Sequence, residues 1–171
     1  DLAQAYQAID RLHEAGLIYD AHIMTGVAGK GRGMENAEAL AQFLNRTNPA
    51  HVVNFSMFLH KEVPLYQDIR QGTFVPADEL ETIREEYHLI ERIAPEKAGA
   101  NILYDGFHDF IHVRVRGHLP GDKEKMLAKL NGIIQEYEGK EPVYSFVQGE
   151  CPDLEYCDDG KAVWDMDRKT S

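Results

Sequence analysis

Apolar residues open the chain at helical spacing: Leu2, Ala5, Tyr6, Ile9 and Leu12 share one face, and Gly16 stands where such a helix stops. Leu17 to Met24 is a short, largely apolar, β-capable run, which predicts a buried strand. A turn with four glycines, Gly26, Gly29, Gly31 and Gly33, follows. Asn36 can cap a second helix with the stripe Ala37, Leu40, Ala41 and Leu44, which Asn48-Pro49 breaks. Val52 to Leu59 predicts a second buried strand, ended by Pro64. Helix, strand, helix, strand with such connections is the order of a parallel α/β sheet.

In the second half, Asp78 and Glu81 have capping-box spacing, and Leu80, Ile83, Tyr87 and Ile90 form one apolar face up to Ala94-Pro95. From Phe110 to Arg116 the chain alternates, with Ile111, Val113 and Val115 on one side and His112, Arg114 and Arg116 on the other. That predicts a half-exposed strand on an antiparallel edge. Leu119-Pro120-Gly121-Asp122 precedes a last helix carrying Met126, Leu130, Ile133 and Tyr137 in register. Beyond Gly139 the pattern thins, and Glu150 to Ser171 holds seven acids against three bases, the composition of a surface tail or a partly disordered one. The expected division is 1–76, 77–138 and an acidic tail over 139–171, with neither internal repeat nor low-complexity segment. The chain starts Asp1-Leu2-Ala3, without Met and already in helical rhythm, which marks it as a fragment.

Composition narrows the function classes. The 171 residues are 43% hydrophobic and 27% charged, enough to build a core without staples. Eighteen Lys and Arg against 29 Asp and Glu give a formal charge of −11, which argues against nucleic acid or an anionic membrane as the main partner. No apolar run approaches the roughly 18 residues of a membrane span, and no secretory leader opens the chain. Two cysteines make a disulfide framework unexpected and a cytoplasmic address the natural one.

The glycine turn is the first candidate for chemistry. Glycines between a strand end and a helix start let backbone N–H groups approach a ligand, and ligands of α/β sheets bind outside the carboxyl ends of strands. The spacing matches neither a P-loop nor the dinucleotide fingerprint, so a plain flexible connection stands beside the ligand reading. His108 and His112 fall four apart; on a strand both rings would share a face and could bind zinc or iron, yet no third ligand is evident, and hydrogen-bonded or solvated histidines are the alternative. Cys151 and Cys157 are spaced too loosely for a usual metal pair, and no second pair completes a site, so no metal-ligating set is nominated. Arg114, Arg116, Lys123 and Lys125 make a small basic stretch that a solvated strand face explains.

Several stretches together resemble a family. Ala15-Gly16-Leu17 leading into His22-Ile23-Met24-Thr25-Gly26-Val27-Ala28-Gly29-Lys30-Gly31 is similar to the fifth strand and following loop of radical S-adenosylmethionine proteins, in the branch of oxygen-independent coproporphyrinogen III oxidase-like iron–sulfur oxidoreductases. Asn36-Ala37, Phe55-Ser56-Met57, Pro64-Leu65-Tyr66 and Gly72-Thr73-Phe74 resemble that branch's sixth strand and the segment after it. Leu119-Pro120-Gly121-Asp122-Lys123-Glu124 resembles a stretch near the ends of these proteins. The likeness covers residues 1 to about 137.

The resemblance implies the C-terminal portion of a partial (β/α)6 barrel followed by an α+β extension. It also implies, for the whole protein, S-adenosylmethionine and a [4Fe–4S] cluster held by C-x-x-x-C-x-x-C, which together generate a 5′-deoxyadenosyl radical that abstracts hydrogen from a substrate. This chain has no such triad, so the resemblance implies that the half-barrel carrying it is missing from this chain and that the fragment is inactive alone. Ile23, Thr25 and Gly26 are nominated for the adenosine side of the pocket, with Phe58, Leu59 and His60 closing its other side. Packing of Ile23 in the core would look the same. An unpaired strand edge makes a homo-oligomer of the fragment expected. The alternatives are a small α/β domain binding a nucleotide-like ligand, and a protein-interaction domain.

Overall fold

The computed structural model describes residues 1–146, with the backbone pairing of Cys157–Asp158 and Lys161–Ala162 beyond them. In chain order the elements are α1 (Leu2–Glu14), β1 (Asp20–Thr25), α2 (Gly33–Thr47), β2 (His51–Ser56), α3 (Pro64–Gln71), α4 (Glu79–Arg92), β3 (Ile102–His108), a 3-10 turn (Asp109–Ile111), β4 (Val113–Leu119) and α5 (Lys123–Tyr137). Strands β1 to β4 form one open mixed sheet in that order: β1–β2 and β2–β3 are parallel, and β3–β4 is antiparallel. The chain is therefore α/β, with β4 on the expected antiparallel edge, and the 1–76 and 77–138 segments share this single sheet.

Helices α2, α4 and α5 lie side by side against one face. Register places Ala21, Val52 and Tyr104 in one row and Ile102 beside Leu119 in another, and these meet Ala37, Ala41, Leu44, Ile83, Leu89, Ile90, Met126 and Leu130 in the main core. A smaller core at the carboxyl ends of β1 and β2 joins Met57, Leu59, Tyr66, Ile69, Tyr144 and Phe146. The opposite sheet face carries Val53, Phe55, Leu103 and Phe107, half-buried side chains that belong to neither core, and no described helix covers it.

Several local expectations change. Asn36 does not cap α2, which starts three residues earlier; its amide instead donates to Glu85 and to the Met24 carbonyl. Pro64 ends no strand: it occupies the first turn of α3, where a missing N–H costs nothing. Asp78 does cap α4, accepting from the Glu81 N–H at 2.8 Å, but the Glu81 carboxylate turns outward to Gly31 and leaves the reciprocal half of the box unmade. The expected tail over 139–171 is corrected at its start, where Val143 packs on the main core and Tyr144 and Phe146 are buried in the smaller one because Phe146 pairs with Leu59; most of its remainder lies outside the described residues.

Replacing fully buried Leu44 or Ile90 with Ala is expected to lower stability by about 2–5 kcal/mol in urea unfolding, whereas Ile18→Ala, at an 82% exposed site, should change it by less than ~0.5 kcal/mol.

Candidate functional site

The carboxyl ends of β1, β2 and β3 converge on α4, which turns a row of carboxylates toward them. Glu79, Thr82 and Glu86 repeat at helical spacing beside the apolar stripe of Ile83 and Ile90, so α4 is buried along a polar strip as well as an apolar one. Glu85 accepts the Gly26 N–H at 3.0 Å and the Asn36 amide at 2.5 Å, and Glu81 accepts the Gly31 N–H at 2.7 Å. The Gly29 N–H donates to the Gly26 carbonyl and the Lys30 N–H to the Val75 carbonyl. The amides of Gly26, Gly29, Lys30, Gly31 and Arg32 are thus spent inside the protein, two of them on carboxylates, which argues against an anion cradle. Gly26 (φ 87°) is fixed by this approach, since a Cβ there would lie 2.9 Å from the Thr82 methyl.

Deeper in the same strip, His108 is clamped by two carboxylates: Nδ1 lies 3.1 Å from Glu79 Oε2 and Nε2 lies 2.9 Å from Glu86 Oε2. Both partners can only accept, so both ring nitrogens carry hydrogen and the ring is an imidazolium. Burial by itself lowers its pKa, but the hydrogen bonds and charges of Glu79 and Glu86 more than reverse this, raising it to about 9. The remaining oxygens are satisfied as well: Ser56 (3.0 Å) and Ser145 donate to Glu79 Oε1, and Asn54 (3.1 Å) and Tyr104 (2.9 Å) donate to Glu86 Oε1. Burial first, then the Glu86 charge, pushes the Tyr104 hydroxyl well above its usual range and keeps it a donor. Burial likewise raises Glu85, against the hydrogen bonds from Asn36 and Gly26. With no solvent access at His108, the cluster is a latch between helix and sheet, not an acid–base pair.

The residues expected from the sequence scatter around this latch. Ile23 and Thr25 face the helices: Ile23 packs on the main core, and the Thr25 hydroxyl, fully buried, donates to the Phe55 carbonyl. Gly26 meets Met57 and Thr82 beneath the loop. Phe58 is exposed and lines a cavity of about 290 Å³ with Ser56, Asp109 and Phe110 at the strand ends. Leu59 turns into the smaller core, and His60 Nδ1 accepts the Glu62 N–H. Those residues therefore do not form one cluster. His108 and His112 do not share a face either: the 3-10 turn intervenes, His112 takes a left-handed conformation (φ 54°) and is exposed, while His108 is sealed in. The Cys151 and Cys157 side chains lie outside the described residues, and among the described ones no group of three His, Cys, Asp or Glu could hold a metal.

The sheet's uncovered face offers the more accessible surface. His22 on β1, Phe55 on β2 and Phe107 on β3 run across it with ring centroids 6.4 and 5.6 Å apart, and the Arg114 guanidinium of β4 sits 4.7 Å from the Phe107 centroid. Asp105 fixes that guanidinium through Nε (2.8 Å) and Nη2 (2.6 Å), which holds the Asp105 carboxyl below its usual range. Sequence reasoning missed Phe55 and Phe107 as a pair because Phe55 sits in a largely apolar run without clear alternation and Phe107 follows Asp105-Gly106, which reads as a turn.

Comparison with family models, with curated proteins and with solved structures finds no match for this chain. No described helix is long and apolar enough to cross a membrane.

The latch sets a pH dependence. His108 titrates near 6.5 when unfolded and about 9 when folded, so its stabilisation is complete below about pH 6.5 and is lost as pH rises through about 9. Urea unfolding should show stability falling by a few kcal/mol across that window, and His108→Gln should flatten the slope. An unchanged slope in the variant would remove His108 as its source.

Proposed function

We propose that the chain works as the carboxy-terminal portion of a radical S-adenosylmethionine iron–sulfur oxidoreductase, supplying the last strands of a partial (β/α)6 barrel and one wall of its pocket. One observation carries the reading: β1, β2 and β3 are parallel, yet the described helices that cover the sheet lie on one face only. Doubly wound parallel sheets bury both faces under helices, whereas a barrel keeps its helices outside and turns its inner face to a ligand. The inner wall is then His22, Phe55, Phe107 and Arg114, and the free edge of β1 is where a preceding strand pairs. The sequence resemblance over residues 1 to about 137 supplies the chemistry that this geometry leaves open.

The residues present do not fit the cluster. A C-x-x-x-C-x-x-C set needs three thiolates and the chain has two cysteines. For S-adenosylmethionine, Ile23 and Thr25 turn toward the helices and Met24 packs on the smaller core, which leaves the loop at Gly26 and the exposed His22 as what β1 can offer.

The test compares this chain with the same chain extended through its upstream coding sequence, each reconstituted anaerobically with iron and sulfide. The extended protein should hold iron and release 5′-deoxyadenosine from S-adenosylmethionine, and the short chain should do neither. Upstream sequence without a cysteine triad, or an extended protein that binds no iron, overturns the reading. The short chain alone is expected to self-associate through its β1 edge and uncovered face, and Phe55→Lys should reduce this in light scattering. A stable monomer at high concentration would contradict that expectation.

A further inference from the structure

At the opposite edge of the sheet, a groove of about 430 Å³ runs between β4 and α5. Its floor is apolar and closed, made by Val115 and Met126. Its rims carry four cations: Arg114 and Arg116 from β4, and Lys125 and Lys129 from α5. One carboxylate meets them among the described residues, that of Asp105, which binds Arg114 through two hydrogen bonds and stands 3.7 Å from Arg116. Lys125 makes no hydrogen bond or ion pair with another described residue, and Lys129 uses one of its three N–H groups on the Arg114 carbonyl at 2.6 Å. In a chain of formal charge −11, four cations around one groove with one counter-charge are not required by the fold. An edge strand is protected by a single lysine, and gathering four costs repulsion.

We propose that this groove binds a compact phosphoryl polyanion, a di- or triphosphate either free or at the end of a nucleotide. Arg114 is held in place by Asp105 and Phe107 with its Nη1 unspent, and a pre-oriented guanidinium at the edge of a groove that three further cations line matches the spread oxygens of linked phosphates. The volume suits a small ligand. A long polyanion would meet the acidic remainder of the molecule, whereas a compact one feels only the local field within a Debye length of about 8 Å. The Lys129 contact occupies a β4 carbonyl that an added acidic strand would need, which favours a small anion over an extended peptide. The proposal does not depend on the radical chemistry above.

Calorimetry of the chain with pyrophosphate, tripolyphosphate, ATP and a short single-stranded oligonucleotide at about 0.15 M salt tests it. Tripolyphosphate should bind with sub-millimolar affinity. The exposed Arg116→Glu and Lys125→Glu variants should each lose about tenfold while unfolding at the wild-type temperature, and Arg116→Lys should recover part of the loss. Equal affinity for ATP and tripolyphosphate assigns recognition to the phosphates alone, and tighter ATP binding adds the nucleoside. No binding below about 5 mM, equal binding by the charge-reversed variants, or tighter binding of the oligonucleotide would overturn the proposal.

Discussion

A positive ring held between two carboxylates and sealed from solvent constrains where every neighbouring element can lie. His108 ends β3, and Glu79 and Glu86 sit two turns apart on α4, so the pair of hydrogen bonds fixes that helix both along its axis and about it. Removing one carboxylate would leave a buried charge without its partner, a loss of about 3–5 kcal/mol, while the intact set gains little over a well-packed apolar one. The cluster therefore specifies an arrangement more than it adds stability. Gly106 shows how tight the specification is, because a Cβ there would overlap Glu86 Oε1. Asn54, Ser56, Tyr104 and Ser145 then supply the remaining hydrogen bonds, so two strands, β2 and β3, and the segment after α5 are tied to one helix face.

Much of this fold is legible in the sequence, and what is not has physical reasons. The first two helices, the parallel β1–β2 pair, the Asp78 cap and the outward Arg114 and Arg116 follow from spacing alone. Strand β3 does not: Ile102–His108 is buried on the helix side and half-buried on the other, so it has no alternation, and Asp105-Gly106 interrupts it like a turn. Asp105 is there to hold Arg114 and Gly106 to admit Glu86, two long-range reasons that no local window contains. Helix α3 is hidden by a proline that ends a strand in one context and starts a helix in another. The carboxylates of α4 look like a solvated face until their period is set against Ile83 and Ile90, where Glu79 and Glu86 fall on the buried side.

The glycine loop illustrates how a permissive backbone serves two opposite ends. Glycines that could expose amides to a ligand here expose them to Glu81 and Glu85, so the loop is a fixed turn over α4. That places the negative charge of α4 directly behind the site where an anion would have to sit, and like charges at this depth repel strongly. Anionic chemistry is pushed away from the strand ends.

The same logic places the accessible surface. Every polar group at the carboxyl ends of β1 to β3 that the latch recruits points toward the helices, so the side of the sheet left for chemistry is the other one. There the rings of His22, Phe55 and Phe107 form a row, and Arg114 closes the row and lines the basic groove at the outer edge. Arg114 belongs to both surfaces because Asp105 holds its guanidinium over Phe107, which makes its position a consequence of strand register: Asp105 faces Arg116, and Phe107 faces Arg114. A one-residue slip of β4 would turn both arginines under the helices, and the buried Val115 into solvent. The register that buries Val115 and Leu119 is thus the same register that presents the cations, and core packing and surface charge are set by a single pairing.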